Sequence, residues 1–389
     1  MRILWLPGWF PSRVDFLNGD FIERHAKAIS ELADITVLYV IKDTQLQTAK
    51  SEIVKEQYGN LTVYRGYYKG KDGGSVFNKI GSVIQHHRLL FRLYYNLRKK
   101  SNSFDLCHVH IVLRQSLLAL WLKWRFKMKY AVSEQNGWYM PGDRRFFRQN
   151  FLFRWFVKKI FNNAAALHVV SNSLGIELKK AGLFTRPYSV IPNVVNTNVF
   201  KQASDVNSKD AIGFIAITGD TRHKNTDGII RSFTAFLKKG YKATLHIAGP
   251  NIEDLKQLVQ INGVEDNVVF YGAVSNEKVA SITQLSDAMI FFTRYETFGC
   301  VMAEAMCCGL PVIASRLPVL EENLKEGVDA LFVESEDEKG LTEKLIEFAQ
   351  NRQQFNNDLI AANAKDKYNY HRVALQFMEL YQKVLAKED

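Results

Sequence analysis

Two carboxylates, Glu296 and Glu304, bracket the turn Phe298-Gly299 and an apolar run closed by Gly309-Leu310-Pro311. The pattern predicts a strand over 288–293, a loop, a helix over about 300–308 and a second strand through Ser315. In such a parallel crossover the helix start aims unpaired backbone N–H groups at whatever sits above the strand ends, and an anionic phosphate suits that position. Glu304 is the one formally charged side chain between Phe298 and Ser315. Buried there, it needs hydrogen-bond donors, which sugar hydroxyls would supply. Cys300, Glu304 and Cys307 share a helical face, a spacing open to a metal site or to plain packing of small apolar thiols. The four cysteines include no CxxC pair and read as reduced thiols.

Three further segments could carry chemistry. Asp220-Thr-Arg222-His223-Lys224-Asn225 falls where a strand meets a helix, and cations there suit a pyrophosphate; a solvated surface loop is the alternative. Asp105-Leu-Cys-His108-Val-His110 ends a strand with both histidines on one face. Such a histidine either hydrogen-bonds a substrate or packs as a satisfied core residue. The loop from Gly8 to Gly19 is too long for a minimal strand-to-helix connection and lacks the GxGxxG dinucleotide spacing.

The elements that must position these groups alternate. Strands are expected at 2–6, 35–40, 61–67, 106–111, 130–133, 166–171 and 188–191, with helices near 19–32, 77–100, 114–126, 145–162 and 172–181. A polar stretch, Lys201–Asp210, reads as a linker. The alternation then restarts, with strands at 212–218, 244–248, 268–271, 288–293, 311–314 and 330–333. Helices are expected near 226–239, 251–261, 276–285, 300–308, 318–325 and 338–351. A last helix, Tyr370–Lys387, carries Val373, Phe377, Leu380 and Val384 on one stripe. This is an α/β chain of two Rossmann-like domains facing across a ligand cleft. The expected domains are residues 1–195, with the helix 370–389 packing back on them, and residues 196–369.

With 389 residues, 47% of them apolar and 23% charged, the chain belongs with soluble globular proteins. Residues 1–200 hold 30 Lys/Arg against 13 Asp/Glu within an overall net charge of +11, so the basic charge is confined to the first half. An anionic partner for that half is the expectation. Two basic aromatic segments, 144–160 and the helix bearing Val83, His87, Leu90, Tyr94 and Leu97 beside Arg88, Arg92 and Lys99, read as surface helices for anionic lipid headgroups. Core helices with snorkelling arginines are the alternative. Nucleic acid fits the charge, but no recognition module accompanies it, so none is expected as a partner. No leader peptide and no run near the ~18 apolar residues of a membrane span is evident, so a cytoplasmic location is expected, peripheral on the inner membrane face.

These residues together resemble the family-4 glycosyltransferases, retaining enzymes of the two-Rossmann-domain B type. Residues 295–315 resemble that family's Glu–seven residues–Glu motif and its Glu-Ala-Met-x-x-Gly-x-Pro-Val stretch. Phe10-Pro-Ser with Gly19, the strand Asp105–His110, Val190-Ile-Pro-Asn-Val-Val-Asn196 and Val269-Phe-Tyr-Gly272 are similar to other family segments. The resemblance implies that Glu304 binds the ribose of a nucleotide-sugar and that Glu296 contacts the transferred sugar. The backbone at Phe298, Gly299 and Cys300 would close around that sugar. Lys224 would hold the diphosphate, His110 would sit beside the sugar, and Gly19 would let the first loop approach donor and acceptor. Asp220 stands at the family's usual Arg place, leaving Arg222 as the substitute, and Glu134-Gln135 stands where many relatives have a second His.

No Asp-x-Asp motif is present, so neither a metal nor another cofactor is expected. Two carboxylates in general suggest double displacement with Glu296 as nucleophile. The resemblance implies instead front-face attack, with the donor phosphate helping to deprotonate the acceptor. The expected activity is transfer of a hexose to a glycan or lipid-linked glycan in bacterial cell-surface polysaccharide synthesis. The competing readings are a nucleotide-sugar epimerase on the same plan and a non-catalytic sugar-nucleotide-binding subunit.

Overall fold

The computed structural model describes residues 1–47, 50–70, 76–100, 103–203, 211–219 and 221–386. Asp220, most of the expected linker and the last three residues of the terminal segment lie outside the described residues. The chain divides into two compact units: Met1–Tyr139 with Arg144–Val194 and Tyr370–Asp389, and Val195–Asn369 with Met140–Asp143. The short excursion 140–143 thus clusters with the second unit rather than with its own sequence neighbours.

The first unit is built on strands β1 (Arg2–Pro7), β2 (Asp34–Asp43), β3 (Ser51–Tyr58), β4 (Leu61–Lys69), β5 (Leu106–His110), β6 (Tyr130–Glu134), β7 (Ala166–Val169) and β8 (Ser189–Val190). Its helices are α1 (Asp20–Ile29), α2 (Val76–Lys100), α3 (Ser116–Phe126), α4 (Phe151–Asn163) and α5 (Asn172–Lys180). The sheet order is β3-β4-β2-β1-β5-β6-β7-β8, parallel except for β3. Residues 3–7 of β1 and all of β5 and β6 are buried, because helices cover both faces of a central parallel strand. Edge strand β3 was not expected: its SEIVKEQY sequence is polar and only half-buried, so the apolar signal of a core strand is missing.

The expected helix 145–162 is divided. A 3-10 turn at Arg145–Arg148 is followed by Asn150 in extended backbone, whose side chain accepts from the Phe153 N–H and starts α4 afresh. Helix α4 buries Val157, Ile160 and Phe161 and leaves Phe151, Leu152 and Trp155 at 70%, 73% and 52% exposure. On α2, Leu90 and Tyr94 face the core, so the expected apolar stripe is mostly a packing surface; Ile80, Val83, Ile84 and Tyr95 are exposed.

The second unit contains β9 (Ile212–Ile217), α6 (Thr221–Lys224), α7 (Thr226–Lys238), β10 (Ala243–Ala248), α8 (Glu253–Asn262), β11 (Val268–Gly272) and α9 (Asn276–Gln284). It continues through β12 (Ala288–Phe291), α10 (Cys300–Cys307), β13 (Val312–Ser315), α11 (Pro318–Glu321), β14 (Ala330–Val333), α12 (Glu338–Asn351) and α13 (Asn357–Tyr368). All its strands are parallel in the order β11-β10-β9-β12-β13-β14. Numbered within the unit this is 3-2-1-4-5-6, the doubly wound Rossmann order, with its topological switch between β9 and β12. The first unit has the same switch between β1 and β5. Helix α13 was not expected, since NDLIAANAKDKY carries few large apolar residues; Asn356 caps it and Ile360, Ala361, Ala364 and Tyr368 are buried.

The terminal helix α14 (Tyr370–Ala386) belongs to the first unit. Val373, Phe377, Leu380, Tyr381 and Val384 are buried, all but Val384 within the core formed by Trp5, Ile22, Ile29 and Val37.

Candidate active site

In the second unit the loops after β9 and β12 meet at the switch point, where open α/β sheets bind ligands. The Lys224 ammonium lies 3.0 Å from Glu296 Oε1 and 4.9 Å from the Phe291 ring centroid. His223 Nε2 lies 3.2 Å from the same carboxylate oxygen and donates to the Tyr295 carbonyl at 2.5 Å, which fixes the proton on that nitrogen. The His223 ring also stacks on Tyr295, with centroids 4.1 Å apart and planes 9° apart.

Burial alone would push the Glu296 carboxyl up. Lys224 and His223 outweigh it and hold the group down at about 2, so Glu296 is ionised at neutral pH. Arg294 staples the two loops: its N–H donates to the His223 carbonyl at 3.0 Å, its Nη1 to the Arg222 carbonyl at 2.7 Å, and its Nε pairs with Glu336. The Arg222 side chain is exposed, so this loop turns its backbone inward.

Helix α10 starts four residues past Glu296. Gly299, its N-cap, has φ 96°, a left-handed conformation in which a β-carbon would come 3.0 Å from the Phe291 ring. Phe298 is buried edge-on against Tyr368, with centroids 5.6 Å apart. Cys300 occupies the first turn, and Glu304, 5% exposed, the second. Its N-cap residue, being glycine, offers no side chain to cap the helix start. Lys224, Glu296, Phe298, Gly299, Cys300 and Glu304 are therefore contributed by adjoining segments of one unit. Cys307 and Cys308 are buried, and burial pushes the Cys308 thiol up to about 12, the behaviour of packed thiols. Among the described residues no group of three or more His, Cys, Asp or Glu is arranged to hold a metal ion.

The first unit carries Gly19 and His110 at its own switch point. Gly19 has φ 79° and caps α1; a β-carbon there would fall 2.5 Å from the Trp9 carbonyl carbon, so only glycine fits. His110 is fully buried between Trp5 and His108, with ring centroids at 3.8 and 3.9 Å. Burial first, then the neighbouring histidines, hold its pKa well below the usual value, so the ring is neutral.

His108 belongs to a buried relay. Its Nδ1 lies 2.7 Å from the Tyr381 hydroxyl and its Nε2 2.7 Å from Ser133 Oγ. Ser133 Oγ lies 2.6 Å from His168 Nδ1, and His168 Nε2 donates to the Ile191 carbonyl at 2.8 Å. His110 stands outside that relay, and neither of its ring nitrogens has a partner among the described residues.

The next strand end supplies two groups that the sequence did not mark as site residues. Both amide atoms of buried Gln135 lack partners among the described residues. Glu134 is fully buried and accepts N–H bonds from Val112, Gln135 and Asn136 at 3.1, 3.0 and 2.9 Å. Burial outweighs those bonds and raises its carboxyl to about 7. His223 and Arg294 were also missed. The adjacency of His223 to Lys224 was the available signal; nothing local marks Arg294, which acts across the switch point.

Two Rossmann-like units, each with polar groups at its switch point, define a B-type glycosyltransferase architecture. Comparison with known proteins agrees. The family model described as Glycosyl transferases group 1 matches residues 199–366, and that of Glycosyltransferase Family 4 matches residues 61–199. The chain belongs to the group 1/family 4 glycosyltransferases. It is 22% identical to N-acetyl-alpha-D-glucosaminyl L-malate synthase of Bacillus anthracis, over 74% of this chain and 76% of that protein. It is 27% identical to alpha-monoglucosyldiacylglycerol synthase of Streptococcus pneumoniae, over 54% of this chain and 53% of that protein. The solved structure of Anabaena HepE in complex with UDP and glucose shares the fold, with TM-score 0.72 and 14% identity over 98% of this chain and 99% of that one.

Proposed function

We propose that this enzyme is a retaining, metal-independent hexosyltransferase that moves a sugar from a nucleotide-sugar to a glycan or lipid-linked glycan in bacterial cell-surface polysaccharide synthesis. The observation that carries this reading is the half-buried Lys224–Glu296–His223 cluster beside the glycine-capped start of α10. Lys224 and the N–H groups of residues 298–300 stabilise the charge that grows on the departing diphosphate, the role a divalent cation plays elsewhere. Glu304 accepts from the ribose hydroxyls, Glu296 from the hydroxyls of the transferred sugar, and Arg222 stands by to reach the diphosphate. UDP is the first base to test, because it is the nucleotide named with the HepE structure.

Front-face attack accounts for retention better than double displacement. One Glu296 oxygen is already held by both Lys224 and His223, and a carboxylate held near 2 is a weak nucleophile. The acceptor hydroxyl attacks from the side on which the diphosphate leaves, and a phosphate oxygen takes its proton. His110 and Gln135 offer unpartnered polar atoms to the sugars, and Gly19 lets the backbone of its loop come close.

The exposed Phe151, Leu152 and Trp155 of α4, with Arg154, Lys158 and Lys159 on the same helix, support peripheral attachment to an anionic membrane surface at its cytoplasmic face. Among the described residues no helix is long and apolar enough to cross a membrane. The glucosyldiacylglycerol in the name of the Streptococcus relative points the same way. A thermal-shift panel of UDP-, GDP-, ADP- and CMP-sugars tests the donor reading, since a ligand selective for the native state raises its Tm. One nucleotide-sugar should stabilise the protein and lose its effect in Glu304→Ala. Indifference to the whole panel would overturn the reading. The anomeric configuration of the product, read by NMR, tests retention.

A further inference from the structure

The carboxyl ends of β1, β2, β4 and β5 open into two neighbouring cavities of the first unit. One, of about 370 Å³, is lined by Trp9, Asn18, His86 and Gln115, among others. His86 is 5% exposed, and its Nε2 has no partner among the described residues. The second, of about 770 Å³, lies between β4 and α2. Tyr68 and Ser82 line both, joined by a 2.8 Å hydrogen bond that forms part of the shared wall.

Both cavities are basic. Lys42 and Arg114 line the smaller one; Lys50, Lys69, Arg88 and Arg92, all exposed, line the larger one, and among the described residues no carboxylate does. Arg88 and Arg92 sit one turn apart on α2, on the stripe that also carries Gln85 and Gly81. A β-carbon added at Gly81 would meet nothing within 4 Å, so the cavity is open at that level. Four cations lining one cavity, with no carboxylate among its described residues, favour an anion of more than one charge. Two arginine forks a turn apart match phosphate oxygens better than a single carboxylate.

We propose that the sugar acceptor of this enzyme carries a phosphate or diphosphate ester, held by Lys50, Lys69, Arg88 and Arg92, while its sugar occupies the smaller cavity beside Trp9, Asn18 and His86. Calling the ligand an acceptor rests on the glycosyltransferase reading above; the anion site itself does not.

The test is calorimetric titration of the full chain at low salt with three probes: inorganic pyrophosphate, glucose 1-phosphate and farnesyl diphosphate in mixed micelles. Binding should weaken about tenfold or more in Arg88→Ala/Arg92→Ala, less in Arg88→Lys, and fall as salt rises. The same arginine-dependent binding should persist in Lys224→Ala. Farnesyl diphosphate bound in this way identifies a lipid-linked source, and binding of only the other two identifies a water-soluble one; both support the site. Failure of all three probes to bind, or pyrophosphate binding that depends on Lys224 and not on the arginines, overturns it. A nucleotide-sugar thermal shift retained in the double variant shows that its fold is intact. If no nucleotide-sugar shifts even the unaltered protein while arginine-dependent pyrophosphate binding remains, the donor reading fails and the anion site stands.

Discussion

Glu134 and Glu296 are both buried glutamates at the carboxyl ends of parallel strands, yet their environments separate their protonation by about five pH units. In the second unit a lysine and a histidine surround Glu296 and hold it at about 2. In the first, Glu134 receives backbone N–H groups and a tyrosine hydroxyl but no cation, and burial raises it to about 7. Burial by itself does not decide whether a carboxylate is a charge or a neutral acid; the formal charge of its partners does. The second unit therefore keeps a fixed ion pair at its switch point. The first keeps an acid poised near neutrality.

The strongest way to break the contrast is to remove the charge at Glu296. Glu296→Gln should lower kcat by about 10²–10³-fold, the scale of losing one preorganised electrostatic contact, whereas Glu134→Gln should cost much less. A smaller effect of Glu296→Gln would place that carboxylate outside the chemistry. Stability against pH is the second test, and the two residues act with opposite sign. Glu296 contributes stability above its ordinary 4.5 that disappears as pH falls toward 2, about 3 kcal/mol in full. Glu134 does the reverse: the unfolded chain ionises first, so stability falls by about 3 kcal/mol as pH rises from 4.5 to 7, then levels. Urea melts of the two glutamine variants should each lose one of these limbs.

The glycines that cap α1 and α10 sharpen the comparison at lower energy. Gly19→Ala meets backbone at 2.5 Å, while Gly299→Ala meets a ring at 3.0 Å that can shift. Gly19→Ala should cost over about 2 kcal/mol and Gly299→Ala nearer 1, read by denaturant midpoint. The smallest expected effect concerns surface attachment. Phe151→Ala/Trp155→Ala should reduce sedimentation with anionic vesicles several-fold without changing nucleotide-sugar binding. Unchanged sedimentation would dismiss α4 as the anchor.

Much of the second unit was legible because its strands are short apolar runs spaced by capped helices, and because Glu296, Gly299 and Glu304 fall in one continuous stretch. Lys224 was legible from its place at a strand end. What the sequence hid depends on distant contacts. His223 gains its role from Tyr295 and Glu296, 72 and 73 positions on, and Arg294 gains its role from carbonyls across the switch point. Edge strand β3 and helix α13 hid for another reason: each is too polar to announce a buried face. On α2, periodicity showed a stripe but not its partner, so Leu90 and Tyr94 resembled lipid-facing residues, whereas both are buried on a helix that packs against β2 and β4.

The return of α14 to the first unit bears on how the chain is made. The unit synthesised first cannot close its core until α14 has been made, since Tyr381 must reach His108 across 273 positions. The second unit is nearly continuous in sequence and can complete its fold sooner. During synthesis the sheet of the first unit therefore waits with Trp5, Ile22 and Val37 incompletely covered, a window in which chaperones have apolar surface to hold.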